Sequence, residues 1–236
     1  MTVTRSFHLS RALLGLGATA AVLASGAAAV AAPPPAGVGA GPELGVRLGY
    51  AIPFGSAENG INVDRNVSGA VPVVVEAGVR LGGAFFAGGL IQYGFAQVKD
   101  PSGLCSGQGN SCSGSVVRVG VEGIYRFLPD LALAPWVGLG LGYEWLNTSA
   151  SSNAFGGIRA SHTYRGIELL TLQAGGEYRA GRSWLLGPFA SYSLGRFGTS
   201  TGSAQLGGTV GTTTGDIADT AIHSWVMLEL RGAFAP

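Results

Sequence analysis

The chain has 236 residues, a formal net charge of +1 and only 11% charged side chains, against 47% hydrophobic residues and 41 glycines. Near-neutrality argues against a nucleic-acid or other polyanion partner. The composition is too apolar for disorder and too poor in charge for an ordinary soluble surface, with Lys99 the sole lysine.

In chain order, residues 1–31 read as an export signal. Arg5 and Arg11 give a positive start, "ALLGLGATAAVLASGAAAV" an apolar stretch of small residues, and Ala29-Val30-Ala31 a cleavage site. Without an Arg-Arg pair the Sec route is expected, and no cysteine follows the site to carry a lipid. Residues 32–42 read as a Pro/Gly-rich linker and 43–236 as one β domain. Past the signal no run of 18 apolar residues occurs, which excludes a helical membrane span.

Eight period-2 segments follow: 43–54, 70–81, 85–97, 115–127, 132–145, 166–179, 184–196 and 222–234. Their connections alternate. Gly55–Gly69, Val98–Gly114, Leu146–Arg165 and Phe197–Ala221 are long; "GGA", "LPDL" and "AGRS" are short. An even strand number, with long loops at one end and tight turns at the other, predicts an all-β, eight-stranded antiparallel up-and-down transmembrane barrel.

The two faces differ in kind. One carries Leu44, Val46, Leu48, Val73, Val75, Val119, Val121, Leu172 and Leu228. The other carries glycine together with Arg47, Glu76, Arg80, Arg118, Glu122, Arg126, Glu144, Glu177, Arg179, Glu229 and Arg231. Only Glu168 and Arg196 break the separation, at the long-loop ends of their segments. A lipocalin-like soluble barrel would turn the apolar face inward. A polar face of six arginines, five glutamates and many glycines suits a narrow, ion-paired lumen better than open water.

Aromatic residues on the apolar face gather at the segment ends. Tyr50, Phe54, Tyr93, Phe95, Tyr143, Trp145 and Tyr192 fall toward the long loops, while Phe85, Tyr125, Phe127, Tyr178, Trp184 and Phe234 fall toward the short turns. Two girdles of this kind fit two lipid–water interfaces. In "PWVGLGLGYEW", Gly138, Gly140 and Gly142 therefore face the lumen, where they leave room for longer side chains.

"LGVRLGYAIPFG", "PWVGLGLGYEW", "LQAGGEYR" and "LLGPFASYSLGRFG" resemble the glycine-rich bacterial outer-membrane barrels of the OmpA/OmpX/OmpW type. The resemblance implies outer-membrane residence in a Gram-negative-type envelope, with membrane lipid and the outer-membrane assembly machinery as partners. Such chains usually end on an aromatic residue that the assembly machinery recognises; here Ala235 and Pro236 follow Phe234, a departure from that pattern.

Cys105 and Cys112 bracket "SGQGNS". After export, a lone pair of this kind reads as a disulfide rather than half of a metal site. No cofactor is expected. "GLGLG" lies inside a strand with no helix after it, so it is no nucleotide fingerprint. Neither His162, in a connection, nor His223, whose neighbour Ser224 points to the opposite face, forms a catalytic dyad. The expected function is a structural or surface-exposed envelope protein with an ion-paired lumen, not an enzyme. A narrow, porin-like pore for ions or small solutes is the alternative, and a soluble periplasmic ligand-binding barrel a further one. The Ser/Thr/Gly-rich connections read as mobile surface loops whose partner the composition does not name.

Overall fold

The computed structural model describes residues 39–99, 105, 108–152, 157–206 and 209–236. The expected signal and most of the linker lie outside these. Strands are β1 (Gly41–Glu58), β2 (Ile61–Asn62), β3 (Val67–Leu81), β4 (Phe85–Val98), β5 (Ser111–Arg126), β6 (Leu133–Ser152), β7 (Ile158–Ala180), β8 (Trp184–Leu206), β9 (Thr209–Asp216) and β10 (Ile222–Phe234). A four-residue helix, α1 (Val63–Asn66), lies between β2 and β3.

Every pairing is antiparallel. Neighbours in sequence pair from β3 to β8, and β10 closes the ring by pairing with both β8 and β1. The ring thus has eight strands, and closure leaves no open edge through its body. β9 stands outside the ring on the upper half of β8, and β2 folds back on β1. β1 begins at Gly41, within the stretch read as linker, because Gly41 and Pro42 already pair with Arg80 and Val79.

Short turns join the strands at one rim. Between Leu81 and Phe85, Gly82 and Gly83 take φ of 62° and 74°, a left-handed conformation that side chains resist.

At the other end the expected loops are largely strand. Leu146–Ser152 continue β6, residues 158–165 belong to β7, and residues 199–206 of β8 pair with β9. The alternation here is Ser/Thr against Ala/Gly, so it carries no apolar signal, although it preserves the two-residue period. On the outward face the hydroxyls form rows across the strands. One row is Ser115, Asn147, Thr163, Thr201 and Thr214; the next is Ser113, Ser149, Ser161, Ser203 and Thr212. Thr163 donates to Asn147 Oδ1 at 2.8 Å, and Ser161 and Ser203 are bonded at 2.7 Å.

Part of the connection Val98–Gly114 lies outside the described residues, and the connection Gly55–Gly69 folds over the mouth. α1 and the segment before it bring Ala57 and Val63 into contact with Val67, Val116, Leu146, Tyr164 and Phe197, and Ile217 joins them from the β9–β10 side. This buried apolar layer caps the lumen.

Candidate functional site: lumen, girdles and outer arms

Alternation along β1 turns Leu44, Val46 and Leu48 outward, each more than half exposed, and buries Glu43 and Arg47. The same division runs around the ring: Val75, Val121, Leu139, Leu172 and Leu228 are exposed, while Glu76, Glu122, Gln173 and Glu229 are buried. The apolar face is the outer surface, which is the reverse of a soluble ligand-binding barrel.

Inside, all eleven of the lumen charges named from the sequence are buried. Nine of them join in two clusters, and Arg179 and Glu229 bond elsewhere. Nearest the short turns, Glu43 accepts from Arg80 Nε at 2.8 Å, Arg126 Nη2 at 2.8 Å and Arg231 Nη2 at 2.6 Å. Arg126 Nε also donates to Glu177 at 2.8 Å, and Arg231 reaches both Glu76 and Glu177. Arg47 extends the cluster by pairing with Glu76 and Glu122, and Gln173 donates to Glu122 at 2.9 Å.

The second cluster lies toward the arms. Arg118 Nε sits 2.9 Å from Glu144 and 3.2 Å from Glu168, and Trp225 Nε1 donates to Glu144 at 3.2 Å. Between the clusters is a residual cavity of about 30 Å³ bordered by Arg47, Gln92, Arg118, Gln173 and Glu229. That is room for about one water. Ser191 donates to Glu229 at 3.2 Å, and Arg179, at the short-turn rim, donates to the Pro129 carbonyl at 2.7 Å.

Aromatic rings fill the rest. Arg231 lies over Phe86, Arg47 over Phe189 and Arg118 over Trp225, at 5.7, 5.3 and 5.4 Å from the ring centroids. Stacked guanidinium groups shed water at lower cost than isolated ones.

Two acidic residues enter the network unannounced. Glu43 has the parity of Arg47 but sits at the very start of its segment. Simple alternation places Glu168 outward. A register shift between Glu168 and Leu170 turns it inward instead, where it is 8% exposed and pairs with Arg118. Arg196 does point outward and is exposed.

The glycines of "GLGLG" do two jobs. A Cβ on Gly138 would meet the Gly123 carbonyl at 3.2 Å and Gln173 Oε1 at 3.3 Å, so this glycine makes room for a lumen side chain as well as a neighbouring backbone. A Cβ on Gly142 would meet the Val119 carbonyl at 2.7 Å, so that one permits close approach of backbones.

Aromatics ring both ends of the outer surface. Tyr125–Phe127 and Trp184–Phe234 lie together toward the short turns, with centroids 5.3 and 5.1 Å apart. Phe85 and Tyr178 are exposed at the same end. Tyr93–Phe95 and Tyr143–Trp145 lie together toward the arms, at 5.0 and 4.6 Å, with Tyr50, Phe54 and Tyr192 also exposed there.

Beyond the outer girdle the arms enclose a vestibule of about 710 Å³, bordered by Lys99, Thr148, His162 and Thr213 and by the Cys105–Cys112 disulfide. His162 stacks on Tyr164 at 4.4 Å. Tyr164, above the outer girdle, has its phenol pushed up to about 12 by burial and then by the neighbouring Glu58 carboxylate. His223 is buried and stacked on Phe197 at 4.0 Å, with Nε2 3.6 Å from Glu144. Among the described residues, no group of three or more His, Cys, Asp or Glu side chains could hold a metal.

Apolar side chains outward, charges inward and a closed ring define a transmembrane β-barrel of the small outer-membrane kind. Structural comparison finds the same fold. The fold is similar to a major outer membrane protein from Thermus thermophilus, with a TM-score of 0.57 at 15% identity, covering 82% of this chain and 99% of that one. Neisserial surface protein A (TM-score 0.46, 14% identity, 82% and 97% covered) and OprG from Pseudomonas aeruginosa (0.46, 13%, 84% and 98%) are more distant likenesses. No protein-family model matches the sequence, and no curated protein matches it either.

Proposed function

We propose that this chain is exported by the Sec route, is inserted by the outer-membrane assembly machinery with its arms outward, and serves at the cell surface rather than as a pore or an enzyme. The observation that carries this reading is the closed lumen. Ion pairs and aromatic rings crowd it, the cavity between the two charge clusters measures about 30 Å³, and Ala57, Val63 and Ile217 pack in the buried apolar layer at its mouth. Buried, mutually paired charges of this kind hold a barrel in one packing arrangement but offer solutes no path. His223 is sealed beneath the cap, which supports a non-catalytic role. What stays open to the exterior is the arms and their vestibule.

The test is conductance of the refolded chain in a planar lipid bilayer, with insertion verified on the same sample by heat-dependent gel migration. Silence from inserted protein is the expected result. Discrete current steps that change on neutralising Arg118 or Glu122 would overturn it in favour of a narrow pore.

A further inference from the structure

Above the cap, the inward side of the arms is built from two cross-strand rows. Thr148, His162, Gly202 and Thr213 form the lower row, on the same side of β7 as the buried Tyr164. Ala150, Ala160, Ala204 and Gly211 form the next. Glycine weakens a strand interior, and its usual reasons are a bulge, a bend or the close approach of another backbone or a ligand. In the ring the reason is visible, since a Cβ on Gly142 or Gly166 would strike a neighbouring carbonyl. A Cβ on Gly202 or Gly211 would meet nothing within 4 Å, and neither residue takes a left-handed φ. Folding therefore does not require glycine at either position. Both instead border the vestibule of about 710 Å³, a size that suits a small organic molecule.

The floor of this recess is aromatic. His162 stacks on Tyr164 with centroids 4.4 Å apart, Tyr164 packs on Phe197 at 5.4 Å, and Phe197 stacks on His223 at 4.0 Å. The rings form a column that starts beneath the cap at His223 and ends at the vestibule with His162. Gly202, directly opposite His162, leaves space beside that last ring. The buried Nε2 of His162 has no hydrogen-bond partner among the described residues. Among the described residues that border the vestibule, Lys99 carries the only formal charge. Its Nζ donates to the Asp64 carbonyl at 2.6 Å, and it forms no ion pair among the described residues. A flat ring extends such a column by offset stacking, and a free ammonium favours a carboxylate. A sugar would find few partners on a row of alanine and glycine, whereas a flat, mainly apolar body fits it.

We propose that the vestibule binds a small planar aromatic carboxylate, with its ring on His162 over the Gly202 recess and its charge on Lys99. This rests on the reading of the arms as the outward, open part of a membrane barrel. It is tested by equilibrium dialysis of naphthoate against the full chain refolded into lipid nanodiscs, with empty nanodiscs as the blank. The matching naphthyl alcohol keeps the ring without the charge, and cyclohexanecarboxylate keeps the charge without the flat ring. The chain is expected to retain naphthoate above the blank, and either the alcohol or the change K99Q should weaken retention about tenfold or more. G202L, whose side chain enters open space, should reduce retention to the blank while the barrel still migrates heat-dependently. Undiminished retention by G202L or K99Q, or either comparator binding as well as naphthoate, would overturn the assignment. So would a heat-modifiable, folded barrel that retains no more naphthoate than empty nanodiscs. A sample without heat-dependent migration would instead bring down the membrane reading and this site with it.

Discussion

Arg231 pairs with three lumen carboxylates, more than any other arginine there, and replacing it with methionine probes whether the interior is a balanced network. Its cluster holds four arginines (47, 80, 126, 231) and four glutamates (43, 76, 122, 177). Methionine keeps much of the volume over Phe86 but leaves three arginines facing four carboxylates, with Glu43, Glu76 and Glu177 each losing a partner. Breaking a buried ion pair from one side costs about 3–5 kcal/mol. Adding E76Q restores three against three, and the double variant should recover about 1–3 kcal/mol relative to the sum of the single changes. The assay is urea unfolding from lipid vesicles followed by tryptophan fluorescence, since Trp136 and Trp225 lie inside the barrel and report directly on lumen packing. A loss under about 1 kcal/mol for R231M, or strict additivity with E76Q, would refute the idea that charge balance holds the interior.

Four further outcomes are expected. L139R, at a lipid-facing position 58% exposed, should cost about 2–4 kcal/mol in the same vesicle assay, whereas a neutral result would reverse the facing of β6. G142A should destabilise by about 1–3 kcal/mol because its Cβ meets backbone, while G140A, whose Cβ lies 3.3 Å from the Val121 carbonyl, should be clearly milder; paired unfolding curves check the order. Tyr164 keeps its proton in the fold up to about 12, so stability linked to it is complete below its ordinary pKa of about 10 and is lost as pH rises through 12. Y164F should remove that loss in alkaline unfolding series. Replacing both Cys105 and Cys112 by serine opens a loop of sequence separation 7 and should cost at most about 2–3 kcal/mol, seen as a lowered unfolding midpoint of a barrel that still migrates heat-dependently.

The ring was legible because a transmembrane strand writes its two environments into alternate residues. Leu44 and Arg47 differ so sharply in chemistry that parity alone separates lipid from lumen. Parity fails where the register slips: the shift beside Leu170 leaves no trace in composition, so Glu168 is misplaced by counting. The arms escaped for another reason. Around Ser161 and Ser203 both faces are small or hydroxylic, and a strand without contrast resembles a loop. The stacking of Phe197 on His223, and of Arg231 over Phe86, depends on β10 returning to pair with β8 and β1. No local pattern encodes that closure.

Among the described residues the outer arms rise from one side of the ring. β5 to β9 carry the wall past the girdle, whereas β1, β3, β4 and β10 end near the mouth or fold across it. The described barrel therefore has a tall flank and a low flank in the plane of the membrane, and neighbours meet a different surface depending on the direction of approach. In a crowded leaflet such a shape is a compass: whatever packs against it does so with a preferred bearing, although the barrel below is nearly round.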